Sequence, residues 1–370
     1  MHQEFRGVRI MAYSDIKDPS EHFQTAIWTG NATARNITND GNSDLQPDFV
    51  WMKCRDSNTA HIWQLSNLGV TKYFRSNVTS AVGTASSLLS SFNTDGFGIT
   101  SNSGNNVNSE QNVAWQWKAN GNSTSTNTQG DITSTIQTNS DAGFTMGTYT
   151  GNGSDEQTIG HGLGATPDWI IIKRKDTAAA WPTWHKHNSA NHILRFYSNG
   201  ESDSASGRVS AYGSRGSSTV FTVFQGSSAY DNVNINGDTY VFWAWTGKQG
   251  YSKFGSYTGN GDGNGPFVYT GFKPAFVMLK NRDATESWVM FDNKRSPHNI
   301  ADKKISLDTS APENGTGAIG GAGYNDIDIL SNGFKLKKNN AATNGSNKVI
   351  LYMAFAESPF VADGIPTTAR

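Results

Sequence analysis

The sequence predicts an all-β protein of three tandem, related β-sandwich modules of the jelly-roll or concanavalin A-like kind. Three observations lead there. A ten-residue stretch recurs without a gap as PDFVWMKCRD (47–56), PDWIIIKRKD (167–176) and PAFVMLKNRD (274–283). Each copy closes on an alternating aromatic strand: VAWQWKA (113–119), VFWAWTG (241–247) and LYMAFAE (351–357). Turn signals return about every 8–12 residues, as in a sandwich, and no window carries a helical period.

In chain order, residues 1–20 are expected to form an N-terminal arm or anchor. Module one is expected over 21–120. It opens on WTGN (28–31) and runs into the first decad, whose apolar, β-branched and aromatic residues between Pro and charges read as a buried strand. Proline suits the first position of a strand, where no ladder donor is needed. The stretch GNSTSTNTQGDITSTIQTN, inside 121–140, reads as a Ser/Thr/Asn linker in which Ile132 and Ile136 are the main bulk. Module two spans 141–248 and module three 249–370, each opening on YTGNG, at 149–153 and 257–261. Trp181 and Trp288 stand at the same offset after Asp176 and Asp283, and His61 holds that offset in module one. DGFGI (95–99) and NGFKL (332–336) mark hairpins, while copy two has STVFTV at that place. The junction TGKQGYSK (246–253) is short, so modules two and three are expected to pack closely.

The chain has 370 residues, 35% of them hydrophobic, with 39 glycines, 11 tryptophans and only 16% charged side chains. That supports a sizeable core whose surface polarity comes from Asn, Ser, Thr and Gly. A net charge of −1 argues against a nucleic-acid partner, which calls for a basic patch or stripe. No stretch of 18 apolar residues is present to span a membrane. Cys54 is the single cysteine, which rules out an intrachain disulfide and reads as a buried small hydrophobe.

Four constellations invite a chemical reading. His185 and His187, with His161 and His192 nearby, have the HxH spacing that puts two rings on one strand face. Copies one and three do not repeat it, so no metal site is expected. Asp326 and Asp328 would share a face, but paired carboxylates in an ExDxxE-type run are absent, so no catalytic residues are assigned. NGDGNG (260–265) lacks the acidic spacing of a calcium loop and reads as a turn. The fourth is an aromatic surface for sugar rings, with Trp181, Trp184, Tyr212, Phe224 and Tyr230 as candidate glycan-binding residues. The tryptophan positions recur in copy three, as Trp288 and Phe291, which favours a core role. The other three, Tyr212 just before the stretch GSRGSSTVFTVFQGSSAYDN and Phe224 and Tyr230 within it, do not recur.

The run MAYSDIKDPSEHFQTAIWTGN (11–31), the repeated YTGNG and PDF-type strands and the ending YMAFAESPF…GIPTTAR resemble a family of virion structural proteins of tailed bacteriophages, marine ones especially, described as tail-fibre or fibre-like proteins. The resemblance covers nearly the whole chain from Met11. The leader MHQEFRGVRI precedes it, as an upstream start or an anchoring arm. The resemblance implies a non-enzymatic virion component without cofactors. It would attach to other virion proteins through its N-terminal region (about 1–30) and display lectin-like modules to host-surface glycan. Fibres close by symmetry, so a homotrimer is expected. The alternatives are a capsid decoration or head-fibre protein, a carbohydrate-binding module and, from another class, a glycan depolymerase.

Overall fold

Each decad becomes a strand buried on both faces because it lies between two cores. The three strands are Phe49–Cys54, Trp169–Arg174 and Phe272–Asn281. Alternate residues point opposite ways. Phe49 and Trp51 therefore enter one core while Val50 and Met52 enter another. Trp169 and Ile171 divide in the same way from Ile170 and Ile172, and Phe276 and Met278 from Val277 and Leu279. Two buried faces call for the continuous apolar run seen in the sequence.

The computed structural model describes residues 14, 16–101, 103–188, 192–204, 209–210, 215–226, 232–314, 326–359, 361–362 and 365–366. The protein is nearly all β, with antiparallel sheets. The first large sheet has the order Phe23–Thr29, Gln111–Trp117, Phe49–Cys54, Ile62–Leu65, Lys72–Arg75, Gly83–Thr84. A three-stranded sheet (Arg35–Ile37, Phe97–Ile99, Leu89–Phe92) covers one of its faces. The third large sheet runs Ser252–Thr258, Val349–Pro359, Phe272–Asn281, Val289–Asp292, Ile305–Ser306, under Phe267–Tyr269, Gly333–Leu336 and Ile327–Leu330. The second large sheet has eight strands, in which Phe144–Thr150, Thr239–Trp245 and Trp169–Arg174 are adjacent. Its small sheet is Gln157–Gly160, Val220–Val223 and Val209–Ser210.

The stretch 121–140, expected as a linker, is corrected. It carries the strands Ser125–Asn127 and Ser134–Asn139, which extend the edge of the second large sheet. Ile132 and Ile136 are buried in the second core and anchor the strands there. The N-terminal arm also differs from expectation. Ser14 donates to the Gln249 carbonyl at 3.0 Å and Ile16 enters the central core, so these residues are docked. Residues 1–13 lie outside the described residues.

The covered face of each large sheet meets its small sheet. The opposite faces of all three large sheets meet one another in a single aromatic core. Trp63 lies 5.2 Å from Trp181 and 4.9 Å from Trp243, joining the first sheet pair to the second. Trp169 and Trp288 lie 5.8 Å apart, joining the second to the third. Phe23 stacks on Phe355 at 5.1 Å, joining the third to the first. The three pairs are thus not beads in series.

Backbone hydrogen bonds repeat the same head-to-tail contact three times. The Val82 N–H donates to Lys175 O (3.0 Å), Ser202 N–H to Arg282 O (2.8 Å) and Glu313 N–H to Arg55 O (2.7 Å). The residue at the shared offset after each decad also crosses the junction. Trp181 Nε1 donates to Val78 O (2.8 Å), Trp288 Nε1 to Ser198 O (3.1 Å), and His61 Nε2 lies 3.0 Å from Ser306 O. A heterologous contact whose rotation closes makes a ring. Here the ring is closed within one chain.

The ring accounts for the rest of the repeated signature. The lysines Lys53, Lys173 and Lys280 are fully buried. Lys173 donates to Thr79 O (2.9 Å) and Ala179 O (2.8 Å), and Lys280 to Asn199 O (2.9 Å) and Glu286 O (2.5 Å). Both reach across a junction, whereas Lys53 satisfies itself on Cys54 O and Ser57 O. The closing Asp caps the first N–H of the last large strand: Asp56 that of Gln111, Asp176 that of Thr239, Asp283 that of Val349. In the TGN triplets, the Asn31, Asn152 and Asn260 N–H groups donate to the side-chain carbonyls of buried Asn106, Asn234 and Asn344. A Cβ at Gly151 would stand 2.3 Å from Ile235 O, so this turn excludes any side chain there.

Candidate functional site

Among the described residues the third sheet pair has an open edge. There Ser252–Thr258 is the edge strand of the large sheet and Phe267–Tyr269 that of the small sheet, with Thr258, Phe267 and Tyr269 exposed. In the second pair the corresponding edge is extended by the two strands of 121–140. The groove at the open edge is closed on one side by Lys186 and His187, which follow strand Pro182–His185 of the second pair.

Strand alternation sets the aromatics of the groove. Val268 points inward and is buried, so Phe267 and Tyr269 point outward, and they are 46% and 47% exposed. The register gives their counterparts. Val268 pairs with Phe334, Ile37 with Phe97 and Ile159 with Phe221. The flanking outward positions are Asn36 and Thr38 in the first pair and Thr158 and Gly160 in the second. Of these outward positions, two aromatics therefore stand only in the third pair, where the repeat does not require them. Sequence reasoning missed them. The signal was the unbroken apolar run Phe267-Val268-Tyr269 just after a Gly-rich turn, since a strand's two faces cannot both be buried in so short an edge.

Cations border the aromatics. Lys253 Nζ lies 5.2 Å from the Tyr269 ring centre and donates to Tyr269 O at 2.7 Å. Burial, then the charge of Lys186, pushes the Lys253 ammonium below its ordinary pKa. Lys186 Nζ is 3.1 Å from Asp168 Oδ1, whose other oxygen accepts the Gly247 N–H at 2.7 Å. His187 is exposed, and burial and Lys186 hold its imidazole below the usual range. Around the aromatics the lining contains Lys186, His187 and Lys253 and no carboxylate. The space there is about 390 Å³, and it adjoins about 480 Å³ toward Lys248 and Gly250.

The sequence-predicted glycan residues are not brought together. Trp181 is completely buried in the central core and Trp184 is buried between the sheets of the second pair. Neither offers a ring face to a sugar, which corrects that expectation. Both fill positions that packing requires. Phe224 is half-buried, and the Arg215 guanidinium sits 4.8 Å from its ring centre, occupying one face. Tyr212 and Tyr230 lie outside the described residues.

The other constellations are accounted for by structure. His185 is buried and accepts the His187 N–H on Nδ1 at 3.1 Å, and His161 is buried with Nδ1 accepting the Leu163 N–H. Among the described residues no group of three or more His, Cys, Asp or Glu side chains is placed to hold a metal. Asp326 is buried beside Lys304 (3.4 Å), and Asp328 pairs with Lys337 (3.1 Å). The NGDGNG turn is held by Asn260 and Asp262 side chains accepting the Asp262 and Asn264 N–H groups. Among the described residues no helix is long and apolar enough to cross a membrane.

No curated protein and no solved structure matches the chain. One family does, over residues 18–359, a span that takes in all three sheet pairs and both walls of the groove. The chain belongs to that family, described as a domain of unknown function (DUF7483).

Proposed function

We propose that the chain is a non-enzymatic structural component of a bacteriophage particle, fibre-like in role, that displays its sheets for contact with host-surface glycan. The observation carrying the adhesive part is the exposed pair Phe267 and Tyr269, placed where the other two copies have small or polar residues. Sugar rings stack their apolar faces on such aromatics, and an unneeded exposed apolar patch is a binding signal. The shared core keeps the groove walls fixed relative to one another, since they come from different sheet pairs. Attachment to other virion proteins falls to the residues ahead of Phe23, because Phe23–Thr29 is itself a strand of the first large sheet.

A second reading, a shell-decorating protein, draws support from the ring. Three sheet pairs around one core form a compact unit rather than an extended shaft. Cryo-electron microscopy of the intact particle tests both. The adhesive reading expects the N-terminal residues against tail or adaptor proteins and the Phe267–Tyr269 edge facing solvent. A ring lying flat on the capsid lattice with that edge covered would replace it with the decorating one.

A further inference from the structure

We propose that the groove between the Lys186–His187 turn and the strands Ser252–Thr258 and Phe267–Tyr269 binds an acidic saccharide chain, gripping a sugar carboxylate or sulfate with Lys253 and Lys186 while Phe267 and Tyr269 stack on the rings. This rests on the glycan-contact reading and narrows it to one ligand class.

Neutral sugars present hydroxyls, which protein sites ordinarily engage with Asp, Asn, Glu or Gln side chains as well as donors. The lining around Phe267 and Tyr269 holds none of those four residue types. It offers the donors of Lys186, His187, Lys253 and Ser256, while the Tyr257 hydroxyl is taken by Thr343 O and Tyr352 is buried in the third core. A Lys ammonium has three donors and no acceptor, and one donor of Lys253 goes to Tyr269 O. A set this rich in donors matches a ligand rich in acceptors.

Charge points the same way. The charge of Lys186 disfavours the proton on Lys253, and Asp168 pairs with Lys186 at 3.1 Å, not with Lys253. Toward Gly250 the lining adds Lys248, making three lysines against the single carboxylate of Asp168. An incoming anion relieves a repulsion that the empty groove carries. Geometry suits a chain. Phe267 and Tyr269 are two residues apart on one strand, about 7 Å along it, so successive rings can be met by one rigid edge. The space falls within the range of about 300–1,000 Å³ typical of small-ligand sites.

The test is calorimetric titration of the full chain with oligogalacturonate and dextran sulfate, against neutral dextran and a single-stranded DNA oligomer. The proposal expects binding to one of the acidic saccharides, which identifies carboxylate or sulfate as the anion. Affinity should fall at least tenfold in Lys253→Met and in Tyr269→Ala, with unfolding midpoints at the wild-type value, and be unchanged in Phe224→Ala. Binding of dextran with rejection of both acidic chains overturns the anionic assignment and leaves glycan contact standing. Binding of none of the saccharides overturns both. DNA bound as tightly as the saccharide, or variants that bind like wild type, also overturns the proposal, because the attraction is then unspecific or lies elsewhere.

Discussion

Replacing Trp243 by alanine tests whether the three sheet pairs unfold as one body. Trp243 belongs to the second pair, is completely buried, and has four ring neighbours: Phe49 at 5.9 Å, Trp63 at 4.9 Å, Phe74 at 5.9 Å and Trp181 at 5.9 Å. Three of the four come from the first pair. An aromatic side chain buries about 200 Å², which at about 25 cal/mol per Å² is about 5 kcal/mol. Alanine keeps a little of that, and Trp→Ala in cores costs about 3–5 kcal/mol, so about 4 kcal/mol is expected. Unfolding entropy near 2.1 cal/mol/K per residue over 370 residues turns that into a drop in Tm of about 5 °C. Hydrogen exchange resolved by peptide is the deciding assay. The strands Phe49–Cys54, Trp169–Arg174 and Phe272–Asn281 should all lose protection by a similar factor, about a thousandfold where exchange needs global opening. If only Trp169–Arg174 exchanged faster, with the other two unmoved, the shared core would not be a single cooperative unit and the ring argument would fail.

Two further outcomes follow from the ring. Lys173, buried with its pKa lowered to about 7 by desolvation and then by Arg174, makes stability depend on pH. Between about pH 7 and pH 10 the unfolded chain holds a proton on this residue that the folded chain has released. Stability therefore rises with pH in that window, by up to about 1.4 kcal/mol per pH unit from this group. Urea unfolding of wild type and Lys173→Met from pH 7 to 10 should show that slope lost in the variant, and equal slopes would mean that the carbonyls of Thr79 and Ala179 hold the proton on. Separately, the threefold arrangement that fibres reach by joining three chains is made here by one, so light scattering is expected to give the single-chain mass of 40.1 kDa. A value three times larger would restore the homotrimer.

The parts of this fold that were legible in the sequence are those that every copy needs. A strand pressed between two cores has to be apolar throughout, and its closing Asp has to cap Gln111, Thr239 or Val349, so the decad survives ungapped three times. The strands at 125–127 and 134–139 were hidden because an edge strand rich in Ser, Thr and Asn has the composition of a linker, and only Ile132 and Ile136 betrayed it. The ring was hidden because its contacts join residues of different copies, such as Val82 with Lys175, which no local period relates. The groove aromatics were hidden by spacing. From the TGN asparagine to the inward strand residue the interval grows from Asn31–Ile37 to Asn152–Ile159 to Asn260–Val268, so a gapless comparison never sets Phe267 beside Asn36.

The same comparison separates scaffold from function. Everything that recurs in threes here answers a packing demand: the TGN turn seats a buried asparagine, the lysine reaches carbonyls, and the residue at the shared offset crosses to the neighbouring pair. Trp181 belongs to that set, and Trp184, matched by Phe291 in the third copy, fills the second core, which is why aromatic content alone pointed to buried residues. Function has room only where the copies part company, and they do so at the outer edges. Among the described residues the second edge is extended by two strands, whereas the first and third end on single edge strands, and of these the third carries two exposed rings beside Lys253 and the Asp168-paired Lys186. Exposing an aromatic pair at an open strand edge costs solubility and invites edge pairing, and nearly half of each ring stays in solvent despite the contacts of Phe267 with Gly333 and of Tyr269 with Lys253. A position that burdens the scaffold without supporting it is where a ligand is to be sought.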